Sequence, residues 1–348
     1  MNIYIGLILN VFAMYAVTKI VAASKIAKKR FFVISSAIPF IIMIALRHKT
    51  VGADTVRYWA DYERGRGADF LEIFTDYGDN KAYFWLSEIF SDNGIPIQIW
   101  FGFIGFLYIG VSFYIIYKYS KDPLISVVMF TVVGGFGFAM AGLKQTLAMV
   151  FTLLAYIQLQ NKKPIRFLIF VALGSLFHLT ALVMLLAYPL SYIKSTKIQV
   201  PLYSALTLLA FLNAVPILER VLSLLDNDHY SSYLLSEKQY TLTDFFIQLI
   251  ILLAALFYKN KAEEKETMSV LYTMVFLGVM FQAYASEIAH LFRLSLYFKP
   301  LGMILLPNAI NCEENPRNKV LLRFGVIIVF LAYFIYTHYS GNYKFYWQ

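Results

Sequence analysis

Four positions in this chain combine side-chain types suited to binding an anion and moving one proton. Arg47, Lys144 and Arg293 are cations and His178 is an imidazole, each set at the edge of or between apolar segments. Cations within or at the ends of membrane spans are expensive, so they usually mark sites for something anionic or for proton chemistry. Arginine binds phosphate oxygens bidentately and keeps its charge. Imidazole, with an ordinary pKa of about 6.5, accepts a proton from a hydroxyl at neutral pH.

The neighbours of these four refine the chemistry. Arg47 opens the run Arg47-His48-Lys49-Thr50-Val51-Gly52-Ala53-Asp54-Thr55-Val56-Arg57-Tyr58. Asp54-Thr55 has the form of a helix N-cap, and a helix N-terminus there favours an anion. The same run also reads as a membrane-end arginine and a solvated charged loop. Lys144-Gln145 follows Gly134-Gly135, Gly137 and Gly142. Small residues permit close approach of a helix or a ligand, and the lysine either meets a diphosphate or snorkels to the interface. Arg293 and Tyr297 are four apart, the spacing of one helix face; His290 sits one turn earlier, and Glu287 offers Arg293 a purely structural partner. The carboxylates Asp54, Asp61, Asp226 and Asp228 all fall in polar loops, and no acidic pair with metal-ligand spacing lies within the apolar segments. The site therefore reads as free of metal and cofactor, with cations neutralising a phosphate leaving group.

The elements that must carry these residues are transmembrane helices. The chain has 348 residues, 59% hydrophobic and 15% charged, with a mean hydropathy of +0.63. Apolar stretches approaching the ~20 residues that cross a bilayer recur along it, and they are continuous rather than alternating, which excludes a β-barrel. The reading is an all-α polytopic membrane protein with about twelve spans: 2–23, 31–46, 97–117, 124–142, 143–160, 165–177, 179–193, 199–217, 244–258, 268–287, 292–310 and 320–338. Residues 2–23 read as a retained first span. The net charge of +9 resides largely in short loops at 25–30, 118–121, 162–166, 194–197, 259–265 and 317–323. That is the pattern of cytoplasmic loops rather than of nucleic-acid binding. Both termini, and the loops 47–96 and 218–243, then lie outside. One cysteine, Cys312, excludes a disulfide framework.

Parity depends on residues 167–193. As a single helix they would extend about 40 Å and cross once, sending the basic loops downstream to the wrong side. A hairpin turning at His178 keeps the charge bias. Its short arms would leave the turn below the outer surface, in a cavity. The outer loop 47–96 mixes Tyr58, Trp59, Tyr62, Phe70, Ile73, Phe74, Tyr83, Phe84 and Trp85 with charges. It reads as amphipathic helices over the mouth of the bundle; loop 218–243, with Asp226-Asn227-Asp228-His229-Tyr230, is similar.

The ordered set of motifs resembles the EpsG/Wzy-like family of bacterial polysaccharide polymerases. Arg47 with Val51-Gly52-Ala53-Asp54-Thr55 and Tyr58, Lys144-Gln145 with Ala148, Phe177-His178-Leu179-Thr180-Ala181-Leu182, and Arg293 with Tyr297-Phe298 resemble its four motifs in order. One departure is Lys144, where the family usually has arginine; lysine keeps the charge and loses the bidentate fork. The resemblance implies a GT-C-like membrane glycosyltransferase that joins undecaprenyl-diphosphate-linked oligosaccharide repeat units at the outer face of the bacterial cytoplasmic membrane. It implies lipid-linked donor and acceptor as partners, with flippase and chain-length-regulator proteins nearby. The implied roles are His178 as general base (Asp54 the alternative), Arg47, Lys144 and Arg293 on the diphosphate, and Gln145, Arg57, Tyr58, Tyr297 and His290 around the pocket. Rival readings are a lipid-linked oligosaccharide flippase, an O-antigen-type ligase and a membrane acyltransferase acting on surface sugars.

Overall fold

Proline or a polar cap starts several helices of this chain, and a glycine pair interrupts one apolar run. The computed structural model describes residues 2–21, 24–64, 80–194, 196–225, 242–258, 261, 265–285, 291–338 and 343–348. His290, Glu287, Phe70, Ile73, Phe74, Asp226 and Asp228 lie outside these residues. Among the described residues the regular structure is helical, apart from one isolated antiparallel bridge between Arg47 and Phe345. Among the described residues four helices are long and apolar enough to cross a membrane: Ile3–Val21, Ile97–Tyr119, Glu266–Ala285 and Pro316–Thr337. The chain divides into two units, residues 1–182 with 313–348, and residues 183–312.

The first unit opens with α1 (Ile3–Val21) and α2 (Lys25–Ala45). Ser24 caps α2, its hydroxyl accepting from Ala27 N–H at 3.1 Å. Two short amphipathic helices follow, α3 (Thr55–Arg64) and α4 (Lys81–Asp92). The buried positions of α3 are Thr55, Tyr58 and Tyr62, spaced as one helix face. Next come α5 (Ile97–Tyr119), α6 (Pro123–Val133), the single turn α7 (Phe136–Ala139), α8 (Leu143–Gln160) and α9 (Pro164–Phe177). The helix α16 (Pro316–His338) returns to pack on α6. An ion pair from Arg323 to Asp122 at 2.7 Å pins α16 beside the start of α6. The core is aromatic: Phe40 meets Phe113, Phe130 and Phe136 with ring centroids 5.5, 5.4 and 4.9 Å away.

Two local expectations change here. The segment 124–142 is not one helix. It breaks after Val133, because Gly135 adopts φ +75, a left-handed conformation open to glycine, and a Cβ there would meet the Tyr108 hydroxyl at 2.7 Å. The break therefore precedes Lys144, which falls in the first turn of α8. The second change is in 179–193, which is a 3-10 helix (Leu179–Leu186) followed by the short α10 (Ala187–Ser191) rather than an α-helical arm. Helix α9 does stop at Phe177, and His178 is extended with φ −159 and ψ 115. A Cβ on Gly174 would sit 3.4 Å from Ala181 Cβ. Seven residues along a continuous helix would separate them by about 10 Å, so the chain turns back on itself at His178.

The second unit contains α11 (Thr196–Leu225), which runs on past the expected loop boundary at 218, then α12 (Thr243–Tyr258) and α13 (Lys265–Ala285). It closes with α14 (Phe292–Ser295), a 3-10 turn (Lys299–Leu301) and α15 (Gly302–Asn311). Helix α13 is the hub, packed on α11, α12, α14 and α15. Two polar contacts are made within this unit. Gln282 Oε1 accepts from the Ser295 hydroxyl at 2.8 Å, and Lys299 Nζ donates to Asp244 Oδ2 at 2.9 Å.

Candidate active site

Arg47 lies just past α2, on a segment held by close packing. Helix α2 packs along α5, where Gly105 allows Ile44 to approach: a Cβ there would meet Ile44 Cγ2 at 2.9 Å. The guanidinium of Arg47 lies 4.0 Å over the ring of Phe101, one turn along α5. Its Nη1 donates to Ile44 O. The side chain is fully buried, at 0% exposure, and Nε and Nη2 have no hydrogen-bond partner. Its electrostatic neighbours are Tyr343, Tyr83 and Tyr58. Burial pushes the phenols of Tyr83 and Tyr343 above the ordinary tyrosine value, so neither is an anion at neutral pH. Burial also lowers Arg47, to about 10, which leaves it cationic. Removing a charge from water without a counter-ion costs on the order of several kcal/mol, and no ion pair to Arg47 occurs among the described residues.

The loop after Arg47 is locked by Gly52. Its φ of +96 is a left-handed conformation, and a Cβ would fall 2.0 Å from Met140 O. Thr55 completes the lock, its hydroxyl 2.6 Å from Val51 O and 3.1 Å from Met140 O. The start of the 47–96 segment is thereby fastened to the turn between α7 and α8. Asp54 takes the N-cap position of α3, its carbonyl accepting from Tyr58 N–H at 3.0 Å.

Lys144 enters the same neighbourhood from the first turn of α8. Its Nζ lies 4.0 Å over the ring of Phe84, 5.5 Å over Tyr83 and 5.9 Å over Tyr58. Tyr58 and Tyr83 pack with centroids 5.6 Å apart and are also the electrostatic neighbours of Arg47. The two cations thus face one pair of tyrosines from different helices. Asp61 and Asp54 attract Lys144 and Arg57 opposes it. Gln145 beside it is buried. Arg57 itself is 79% exposed and pairs with Asp61 at 4.0 Å, so it is a rim residue rather than part of the pocket interior.

His178 is half-buried, its Nδ1 in a 2.6 Å hydrogen bond with the Thr180 hydroxyl, which fixes the ring. The preceding Phe177 packs against the cluster that contains Tyr58, Tyr83, Trp100 and Leu143. Its ring stacks on Phe151 of α8 at 5.3 Å. So Arg47, Lys144, Tyr58, Gln145, Asp54 and His178 all belong to the first unit; Arg47 and Lys144 share Tyr58 and Tyr83 as neighbours, and His178 follows Phe177, which packs on the same cluster. Arg293 and Tyr297 belong to the second unit. The helix that would have put them on one face ends at Ser295, and Tyr297 follows in a turn, fully buried.

Some residues of the site carry no signal in the local sequence. Tyr83 and Phe84 sit on α4, far along the chain from Lys144. Asp61 is recognisable only as a loop carboxylate, yet its side chain is 14% exposed and turns toward Lys144. Residues 343–348 return to Arg47: His48 N–H donates to Lys344 O at 2.8 Å and Tyr346 N–H to Leu46 O at 2.9 Å. Among the described residues no group of three or more His, Cys, Asp or Glu side chains is placed to hold a metal ion. No curated protein and no solved structure matches this chain. The model of the EpsG family matches residues 29–348. That span includes Arg47, Lys144, His178 and Arg293, and the chain belongs to the EpsG family.

Proposed function

We propose that the protein is a polysaccharide polymerase of the membrane, joining undecaprenyl-diphosphate-linked oligosaccharide units outside the bacterial cytoplasmic membrane. The observation that carries this reading is Arg47, a fully buried cation with two guanidinium nitrogens unsatisfied and, among the described residues, Tyr343, Tyr83 and Tyr58 as its electrostatic neighbours. A diphosphate supplies the missing charge and accepts both N–H groups. The reading retains about twelve spans in a GT-C-like bundle, with loops 47–96 and 218–243 over the outer mouth.

The reaction is a single displacement. The acceptor hydroxyl oxygen forms a bond to the anomeric carbon of the donor sugar, and its proton passes to His178. The bond from that carbon to the diphosphate oxygen breaks with inversion, and the electron pair leaves with the lipid diphosphate. Arg47 and Lys144 stabilise the charge as it develops, which needs no metal. Asp54 is the alternative base. Tyr58 and Gln145 shape the pocket and Arg57 its rim. Arg293 is assigned to phosphate recognition, and Tyr297 and His290 to sugar contact, on their family motif. Flippase and chain-length-regulator proteins are expected to act beside it.

The test is a reconstituted assay with lipid-linked repeat units, scored for chain length with and without EDTA. Polymer in EDTA is expected, and His178→Ala and Arg293→Ala should each slow it at least about a hundredfold. Full rate in both variants would refute the assignment. Translocation of single units without lengthening would identify a flippase instead, and transfer of finished chains to another acceptor a ligase.

A further inference from the structure

The proposed reaction leaves unexplained why residues 343–348 fold back onto the one segment that carries Arg47. Helix α2 ends with Leu46 N–H bonded to Ile42 O. Beyond a helix end the backbone dihedrals are no longer set by the helix, so something else must aim the next side chain. Here two hydrogen bonds bracket Arg47, one on each side. Leu46 O accepts from Tyr346 N–H at 2.9 Å, and His48 N–H donates to Lys344 O at 2.8 Å. Arg47 and Phe345 are the antiparallel pair between them. In such a pair the two side chains share a face and lie close.

This short segment is itself firmly anchored. The Tyr343 hydroxyl donates to Met43 O at 2.8 Å, reaching the last turn of α2. Its ring packs edge-on against Tyr4 of α1 at 6.1 Å and against Phe345 at 5.2 Å. Phe345 and Trp347 stack at 4.5 Å. Gln348 Oε1 accepts from Phe345 N–H at 2.9 Å, and Gln348 N–H donates to Phe345 O at 3.0 Å, closing the turn. Every anchor lies at the end of α2, on α1 or within the segment itself. Tyr343 also faces Arg47 electrostatically.

We infer that residues 343–348 are a positioning strap for Arg47: they fix its backbone from both sides, and Tyr343 ties the strap to the last turn of α2. This rests on the reading of Arg47 as the diphosphate-binding cation. Residues of the strap touch Arg47 rather than substrate, so their effect on the reaction passes through it. Displacing a charged group by about 1 Å is enough to lose on the order of a hundredfold in rate.

The test is a double-mutant cycle in the lipid-linked polymerisation assay, with inorganic pyrophosphate as competing probe. Deleting residues 343–348 should lower the rate about a hundredfold and weaken pyrophosphate inhibition about tenfold. The same deletion in an Arg47→Ala background should add less than about twofold, because both changes remove one function. Tyr343→Phe keeps the ring and removes only the bond to Met43 O. It should shift the rate and the pyrophosphate inhibition in the same direction by about threefold to fivefold, and it reports on the strap even where the deletion fails to fold. An additive cycle, or a Tyr343→Phe variant with unchanged inhibition, overturns the strap. An inactive Arg47→Ala beside a fully active deletion also overturns the strap while leaving the diphosphate reading intact. A fully active Arg47→Ala overturns both.

Discussion

Arg47 and Lys299 are both cations withdrawn from water, and the chain treats them in opposite ways. Lys299, 7% exposed, lies within the second unit and donates to Asp244 at 2.9 Å. Arg47, at 0%, has a carbonyl and an aromatic ring, and no described carboxylate comes within ion-pair distance. A buried pair is self-neutralising, and its main liability is the loss of one partner. A buried lone cation has its electrostatic demand left open. The difference teaches how to sort cations in an apolar chain: the criterion is whether the fold supplies the counter-charge. By that criterion Lys299 is architecture, and Arg47 is the cation for which we propose an anionic ligand.

The sharpest way to break this contrast is to remove each charge in turn. Arg47→Met should lower polymerisation by roughly 10²–10³-fold, the scale of losing a transition-state charge donor. The same variant should raise the melting temperature in detergent, since an uncompensated buried charge disappears. A fall in melting temperature would show that Arg47 is already neutralised by the fold. Lys299→Met should do the reverse, destabilising by about 1–3 kcal/mol, less than for a fully buried pair because Asp244 is 35% exposed. Adding Asp244→Leu should restore most of that stability, and failure to do so would mean the pair is not what Lys299 serves. The smallest effect concerns Lys144. Lys144→Arg should raise the rate up to about threefold by restoring the bidentate fork, whereas a drop would mean the aromatic faces of Phe84 and Tyr83 are shaped for an ammonium.

Some helix starts were legible from a local device: Pro123 at the start of α6 and Pro164 at the start of α9 are readable from a few residues, whereas α2 begins at Lys25, inside the expected basic loop 25–30. The stop at His178 was legible because charge bias forbade a single crossing. The break after Val133 was missed, since a glycine pair among apolar residues is compatible with a close-packed helix as well as with a turn. The site divides in the same manner. Arg47, Lys144 and His178 stand out as polar residues among apolar ones. Tyr83, Asp61 and Tyr343 do not, because their importance comes from long-range packing, and locally they look like ordinary loop residues. Gly52 was visible in its motif, but its contact with Met140 O depends on a turn in another helix. Lys299 and Asp244 escaped notice for a related reason: a polar residue near a proline turn and an acid at a helix start are both unremarkable until they are seen to touch.

The strap also has a consequence in time. Tyr343 and Met43, which it joins, are 300 residues apart in the chain. At bacterial-type synthesis rates of about 5–20 residues per second, that separation corresponds to roughly 15–60 s of translation. Throughout that interval the Arg47 segment exists without the residues that aim it. The proposed aiming of Arg47 therefore waits on residues made about 300 positions after the end of α2.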